Sequence, residues 1–408
     1  MDIELSRLRV YPRGSEELPV GRKVIDTKKV KGPDSQLYTS ICPMVYAIRV
    51  FGLAPYEFHN DMLVPSNINC IFSYVCACIY TYIIYTILAR FTGITREQPL
   101  LDYTETGKTI CNYCMAMCNI IVTLFSREKF AKVWNTIQDY DETVKNFGYT
   151  RNENRAFLWS WIILIGSVIL WSTISLSGID AFAQPWTENV AYMSIYAGTS
   201  LSVIKFSGIT MLLGQRFKHL NEIAKKSNPA GTRRWLGNPV VATKDVEQLH
   251  NTLMNASESL NTLYSGSLLL WLGTLTYYVI SAIFFLLQRA LYFKWEHFTW
   301  EHAERKILTC LILWTLAYLA QIIFLLYACH FTSDEANSTA YILMAWKRWF
   351  NTSGFSRGRY ERVETSMHLM NRRLNFAAGG CFYVNLPLLR SITTLLATYL
   401  VILLQFPD

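Results

Sequence analysis

Charge is scarce in this sequence. Of its 408 residues only 17% are Asp, Glu, Lys or Arg, where an ordinary soluble domain carries nearer a quarter. That deficit argues against a conventional water-soluble globule. The groupings that carry chemistry are missing as well. No Ser/His/Asp set, phosphate loop or carboxylate pair stands in a credible context, and the seven His residues form no i,i+4 pair, His297 and His302 being five apart. An enzyme is not expected, and neither is a metal or a cofactor. The first apolar run begins near Ile68, behind a basic, Pro-containing stretch, so no secretory leader is expected. There is no internal repeat, and no paired Gly or Pro breaks near mid-span, which argues against a secondary transporter.

What the chain has is apolar length. It is 51% hydrophobic and 14% aromatic, with a mean hydropathy of only +0.18. Apolar spans must therefore alternate with sizeable polar stretches. Residues 268–287 and 307–328 are nearly uncharged and long enough to cross a ~30 Å hydrocarbon core. The net charge of +8 does not point to nucleic acid, because most Lys and Arg sit in polar blocks between apolar runs, as membrane topology requires. Nine of the ten cysteines lie in or beside apolar spans, where a thiol packs as a small weakly polar group. Cys111 and Cys114 have metal-like spacing but no second pair and no adjacent His.

These patterns predict an all-α polytopic membrane protein with seven spans, near 67–89, 105–125, 157–178, 190–213, 267–287, 307–330 and 382–406. Residues 1–60 read as a largely irregular cytoplasmic leader, and 61–330 as the first six spans with helical extensions. Residues 331–380 form a cytoplasmic anchor segment and 381–408 the last span. The second span is the weakest, interrupted by Lys108, Asn112 and Asn119. Between spans two and three, Phe130, Val133, Trp134, Ile137 and Tyr140 form an amphipathic stripe that should pack on protein. Helices should run unbroken from about 245 into span five and from span six to about 350, and a short amphipathic helix is expected at 360–376.

Basic residues stay cytoplasmic. With the amino terminus inside, the inner segments hold 29 of the 38 Lys and Arg, and seven spans leave the carboxy terminus outside. Receptors that couple to G proteins are oriented the other way, and their Asp-Arg-Tyr and Asn-Pro-x-x-Tyr landmarks are absent. A metabotropic seven-helix chemoreceptor is the alternative that this orientation disfavours. Sequons at Asn255, Asn337 and Asn351 fall in inner segments and should stay unmodified.

The last span carries a stripe. Ser391, Thr394, Thr398, Val401 and Gln405 recur at spacings of 3, 4, 3 and 4 on an otherwise Leu, Ile and Ala helix. Such a stripe either pairs with helices of its own chain or lines a water path between symmetric copies. Hydroxyl and amide oxygens suit weak, multi-site passage of cations, and Phe406 beside Gln405 could form a dewetting constriction.

The run Thr398-Tyr399-Leu400-Val401-Ile402-Leu403-Leu404-Gln405-Phe406 is similar to the terminal signature of the insect gustatory receptors: Thr-Tyr, five mostly apolar residues, then Gln-Phe. Gly380-Cys381-Phe382 with Asn385, and the stretch 249–270 with Asn261, Tyr264 and Gly266, resemble that family's approaches to its seventh and fifth helices. The resemblance covers about residues 60–406. It implies a homotetrameric, ligand-gated, non-selective cation channel in the plasma membrane of chemosensory neurons. Four copies of the last helix would surround one pore, with Gln405 and Phe406 at the extracellular gate, Val401 and Thr398 next along the wall, and Tyr399 facing neighbouring helices. Olfactory receptor channels share this architecture and differ in the ending. Receptors of the sweet clade commonly carry Glu where this chain has Leu400, so a bitter-type plant compound is expected ahead of a sugar such as fructose.

The family places its small-molecule tastant in an outward-facing pocket between helices two to six. Trp171, Asp180, Trp186, Tyr192, Tyr196, Tyr277, Tyr278, Trp314 and Tyr318 offer rings and hydrogen-bonding tips in the outer halves of those spans. The same residue types also anchor helices at membrane interfaces. Lys205, in mid-span, is expected to reach a partner such as Asp180 or to snorkel, and Arg390 to meet lipid headgroups or the anchor segment.

Overall fold

A computed structural model describes residues 29–92, 99–149, 151–182, 185–227, 241–292, 302–350 and 367–405. Its elements are α1 (Gln36–Val50), β1 (Tyr56–His59), β2 (Met62–Pro65), α2 (Asn67–Thr92), α3 (Pro99–Phe125), α4 (Arg127–Asn146), α5 (Asn154–Phe182), α6 (Trp186–Lys226), α7 (Thr243–Tyr292), α8 (His302–Phe350), β3 (Ala377–Ala378), β4 (Phe382–Tyr383) and α9 (Leu386–Gln405). Among the described residues six helices are long and apolar enough to cross a membrane: α2, α3, α5, α6, α7 and α8. The 20-residue α9 is about 30 Å long, enough for the same hydrocarbon core. The fold is all-α and polytopic.

Burial separates the spans by role. In the most apolar window of α6, 83% of residues are buried, against 17% in α5 and 22% in α2. So α6 is the central helix, while α5 and α2 turn apolar faces outward as a lipid solvent demands. The 50 residues of α7 run about 75 Å, far beyond a bilayer, so α7 and the 49-residue α8 project past it as single helices. The chain direction gathers α1, both hairpins, α4 and the far halves of α6, α7 and α8 at one end of the bundle, termed basal. The α5–α6 connection and the end of α9 lie at the apical end.

The leader is not irregular throughout. Ser35 caps α1 by accepting the Tyr38 N–H, and Leu37, Ser40, Met44 and Ile48 bury one face of it at helical spacing. A hairpin follows, β1 antiparallel to β2, turning on Asn60 and Asp61 with φ of 47° and 68°, the left-handed geometry of a two-residue hairpin loop. The Asn135 side chain on α4 accepts the Leu63 N–H at 2.9 Å and donates to the Leu63 carbonyl at 3.0 Å, fixing β2. The α4 stripe Phe130, Val133, Trp134, Ile137 and Tyr140 is buried on protein.

Lys205 meets neither Asp180 nor an interface. Its Nζ donates to the Leu53 carbonyl at 2.8 Å, lying 4.5 Å from the Phe130 ring centre and 5.2 Å from that of Tyr56. One carbonyl and two ring faces replace its water. A second buried cation, Arg216, bonds Asp141 at 2.7 Å and Glu153 at 3.0 Å, tying α6 to α4 and to the start of α5. Burial raises the Asp141 carboxyl above its ordinary value, while Arg216 acts to lower it.

The short helix expected at 360–376 is helical in its described part only at 367–371, and residues 360–366 lie outside the described residues, as does the expected breaker at 351–359. Beyond it the chain is extended, because α7 and α8 hold it by its main chain. Asn337 bonds both polar atoms of the Leu374 backbone. Asn261 accepts the Ala377 N–H, Ser265 donates to the Ala377 carbonyl, and the Gly379 N–H bonds the Ser265 carbonyl. Gly379 and Gly380, at φ of 58° and 72°, turn β3 back onto β4. The last helix therefore begins at Leu386 rather than 382, with Asn385 accepting the Leu388 N–H as its cap.

Candidate functional site

Six of the candidate ligand residues converge in the apical half. Trp171 comes from α5, Tyr192 and Tyr196 from adjacent turns of α6, Tyr278 from α7, and Trp314 and Tyr318 from α8. Their rings form one continuous cluster. Tyr196 lies 4.8 Å from both Tyr192 and Trp314 and 6.0 Å from Tyr278. Trp314 is 5.6 Å from Trp171 and 5.3 Å from Tyr318, which lies 4.9 Å from Tyr278. Most of these contacts are tilted or edge-to-face, the arrangement ring quadrupoles favour. Tyr196, Tyr278 and Tyr318 are buried, whereas Tyr192 and Trp314 are partly accessible.

The polar tips are bonded. The Tyr192 and Tyr196 hydroxyls share a 2.8 Å hydrogen bond. Tyr278 donates to the Lys108 carbonyl at 3.1 Å and Tyr277, beside the cluster, to that of Thr104 at 3.4 Å. One turn of α3 thus closes the cluster, and it carries an ion pair, Lys108 Nζ to Glu105 Oε1 at 2.7 Å. Sequence inspection placed Lys108 only as an interruption of a weak span. A charge that a mid-membrane helix retains is itself a signal of a site.

Two candidates lie elsewhere. Asp180 is exposed and pairs with Lys306 at 3.7 Å, and Trp186 is exposed at the start of α6. A carboxylate tip and an indole ring drew them into the group by residue type, but both are exposed away from the cluster.

The stripe on α9 faces out. Leu389, Ile392 and Leu396 pack against the bundle, and at 100° per residue Ser391, Thr394, Thr398, Val401 and Gln405 lie on roughly the opposite side. All five are exposed in the single chain. The hydroxyls of Thr394 and Thr398 donate to carbonyls one turn back, at 3.0 Å each, which leaves their oxygen lone pairs outward. The stripe is not sealed inside its own chain. Tyr399 and Arg390 are exposed as well, and Phe406 lies outside the described residues. Among the described residues no group of His, Cys, Asp and Glu is arranged to hold a metal.

The sequence profile of the family described as 7tm chemosensory receptor matches residues 41–407. The gustatory and pheromone receptor 32a of Drosophila melanogaster is 24% identical over 412 residues, covering 91% of this chain and 86% of that one. The structure of the insect olfactory receptor OR5 from Machilis hrabei superposes with a TM-score of 0.65 at 12% identity, over 90% of this chain and 98% of that one. The same receptor in complex with eugenol gives 0.63 at 14% identity, with the same coverage.

Proposed function

The chain belongs to the 7tm chemosensory receptor family, whose profile spans nine-tenths of it, and from that premise we propose that it is a tetrameric, ligand-gated, non-selective cation channel of the gustatory type. The observation that carries this reading is the outward stripe on α9. Thr394, Thr398 and Gln405 are too polar to rest against lipid without cost, yet they face away from their own bundle. Four copies around an axis would bring these seams together as a wet wall suited to cations.

The apical aromatic cluster is the proposed ligand site, open to the extracellular side if the amino terminus is cytoplasmic. The similar olfactory receptor is known in complex with eugenol, which supports a small organic ligand here too. A bitter-type plant compound fits the ring-rich cluster better than a sugar. Gating energy comes only from tighter binding to the open state. The strap 372–384 joins α7 and α8, which carry half of the cluster, to the foot of α9, so shifts of those helices reach the pore helix. The receptor acts in the plasma membrane of chemosensory neurons.

Gln405→Ala tests the assignment. Expressed in cells lacking other chemoreceptors, the variant should assemble while its currents change in amplitude or ion selectivity. Wild-type currents and selectivity would remove α9 from the pore.

A further inference from the structure

The apical cluster is rich in ring faces that attract cations, and it borders a carboxylate. Glu105 stands on the α3 turn whose Thr104 and Lys108 carbonyls accept from Tyr277 and Tyr278. Left alone, that combination would favour ammonium-bearing ligands. It is not left alone. Lys108, one turn along α3 and buried, sets its Nζ 2.7 Å from Glu105 and 5.2 Å from the Phe285 ring centre. Asp180, also at the apical end, has a lysine partner too, Lys306 at 3.7 Å.

We propose that Lys108 masks Glu105, making the cluster a site for uncharged aromatic ligands and setting its selectivity against amines. The inference rests on the cluster being the ligand site. An incoming ammonium would have to displace a lysine tethered three residues away, whose local concentration no dilute ligand matches. It would also bring a second positive charge close to Lys108 in a poorly screened interior. A neutral phenol meets neither penalty and gains the ring contacts and the Tyr192–Tyr196 hydroxyls in full. Removing Lys108 reverses the balance, because it strips the partly exposed Glu105 carboxylate of its tethered partner and a ligand ammonium can then take that place.

The full chain, purified in nanodiscs at pH 7, is titrated calorimetrically with 4-ethylphenol and with tyramine, which differ by one ammonium group. Wild type should bind 4-ethylphenol at least about 10-fold more tightly than tyramine. Lys108→Met should narrow or invert that ratio, and the double variant Glu105→Gln, Lys108→Met should restore the preference for the phenol. Glu105→Gln alone, which keeps Lys108 and disturbs packing least, should weaken tyramine further relative to the phenol. Equal or tighter tyramine binding to wild type, binding of neither probe, or a ratio that ignores Lys108 would overturn the proposal. Tyr196→Ala and Trp314→Ala separate the premise from the inference. If they leave both affinities unchanged, the cluster is not the binding site; if they abolish binding while the Lys108 variants keep the wild-type ratio, only the masking is wrong.

Discussion

Asn337 grips the main chain of Leu374 from both sides, its Nδ2 donating to the carbonyl at 3.1 Å and its Oδ1 accepting the N–H at 2.9 Å. Asn135 does the same to Leu63 at 3.0 and 2.9 Å. In each case one amide satisfies a short extended segment that has almost no sheet to bond with. Asn337→Ala breaks two hydrogen bonds at about 1 kcal/mol each and leaves the polar atoms of Leu374 short of a partner. It should destabilise the protein by about 2 kcal/mol, read as a lower midpoint in thermal unfolding followed by fluorescence-detected size exclusion. Asn337→Asp, which keeps the acceptor and loses the donor, should fall between the two. An unchanged melting curve for both would deny the clamp its role.

The same geometry bears on modification. Asn337 opens a sequon with Ser338 and Thr339, yet both ends of its amide are taken up, and Thr339 is buried with its hydroxyl donating to Asn221 at 2.7 Å. A glycan there would require the strap to come loose. Full-length protein from insect cells should show no mobility shift attributable to Asn337 on treatment with peptide-N-glycosidase, and Asn337→Gln should migrate with wild type. A shift that the substitution removes would place this segment outside the cell and reverse the topology.

Arg216 is fully buried between Asp141 and Glu153. Taking away one partner of a buried ionic cluster costs ~3–5 kcal/mol, so Arg216→Met should abolish monodisperse protein at ordinary temperature. The Asp141 carboxyl, already raised by burial, would rise further without the guanidinium and take up a proton. Glu153 also pairs with Arg151 at 3.0 Å and so keeps a cation when Arg216 is lost; neutralising Asp141 as well, by Arg216→Met with Asp141→Asn, should recover part of the loss. If the double variant were no better folded than the single one, the damage would lie in packing rather than charge.

The long helices were legible because their signal is local. Leu249, Leu253 and Leu260 recur on one face of α7 and are buried, so its unbroken run into the membrane could be read from periodicity. The α1 face was equally periodic, through Leu37, Ser40, Met44 and Ile48, but the surrounding basic residues masked it. The Asn60-Asp61 turn was a readable hairpin signal passed over. Other features left no local trace. Lys205 answers to a backbone carbonyl 152 residues away, and no side-chain pattern announces such a partner. The strands at 377–383 exist because Asn261 and Ser265 reach Ala377 from α7, while Asn337 on α8 holds Leu374 just before them. The aromatic residues of the cluster were nameable, whereas Asp180 and Trp186 were drawn in by type alone, and Glu105 was overlooked because its role depends on which face of α3 meets α7.

The exposed seam of α9 makes a prediction that separates water from lipid. Thr394, Thr398 and Gln405 span 11 residues, about 16 Å along the helix, and the hydrocarbon beside a lipid-facing helix excludes a permanently charged reagent. Cysteines placed at these positions should react with a positively charged methanethiosulfonate added outside, and the covalent charge should block current, fastest at Gln405→Cys and more slowly at Thr398→Cys and Thr394→Cys. Leu396→Cys, on the buried face, should remain unmodified and conduct normally. The native Cys381, Cys78 and Cys114 are exposed, so each measurement is set against the reagent's effect on wild type. A gradient of rates running from Gln405 inward, absent at Leu396, is what a water-filled path along one face produces. Equal inertness at all four positions would put the seam against lipid or protein, and conduction would then have to follow a route that avoids this helix.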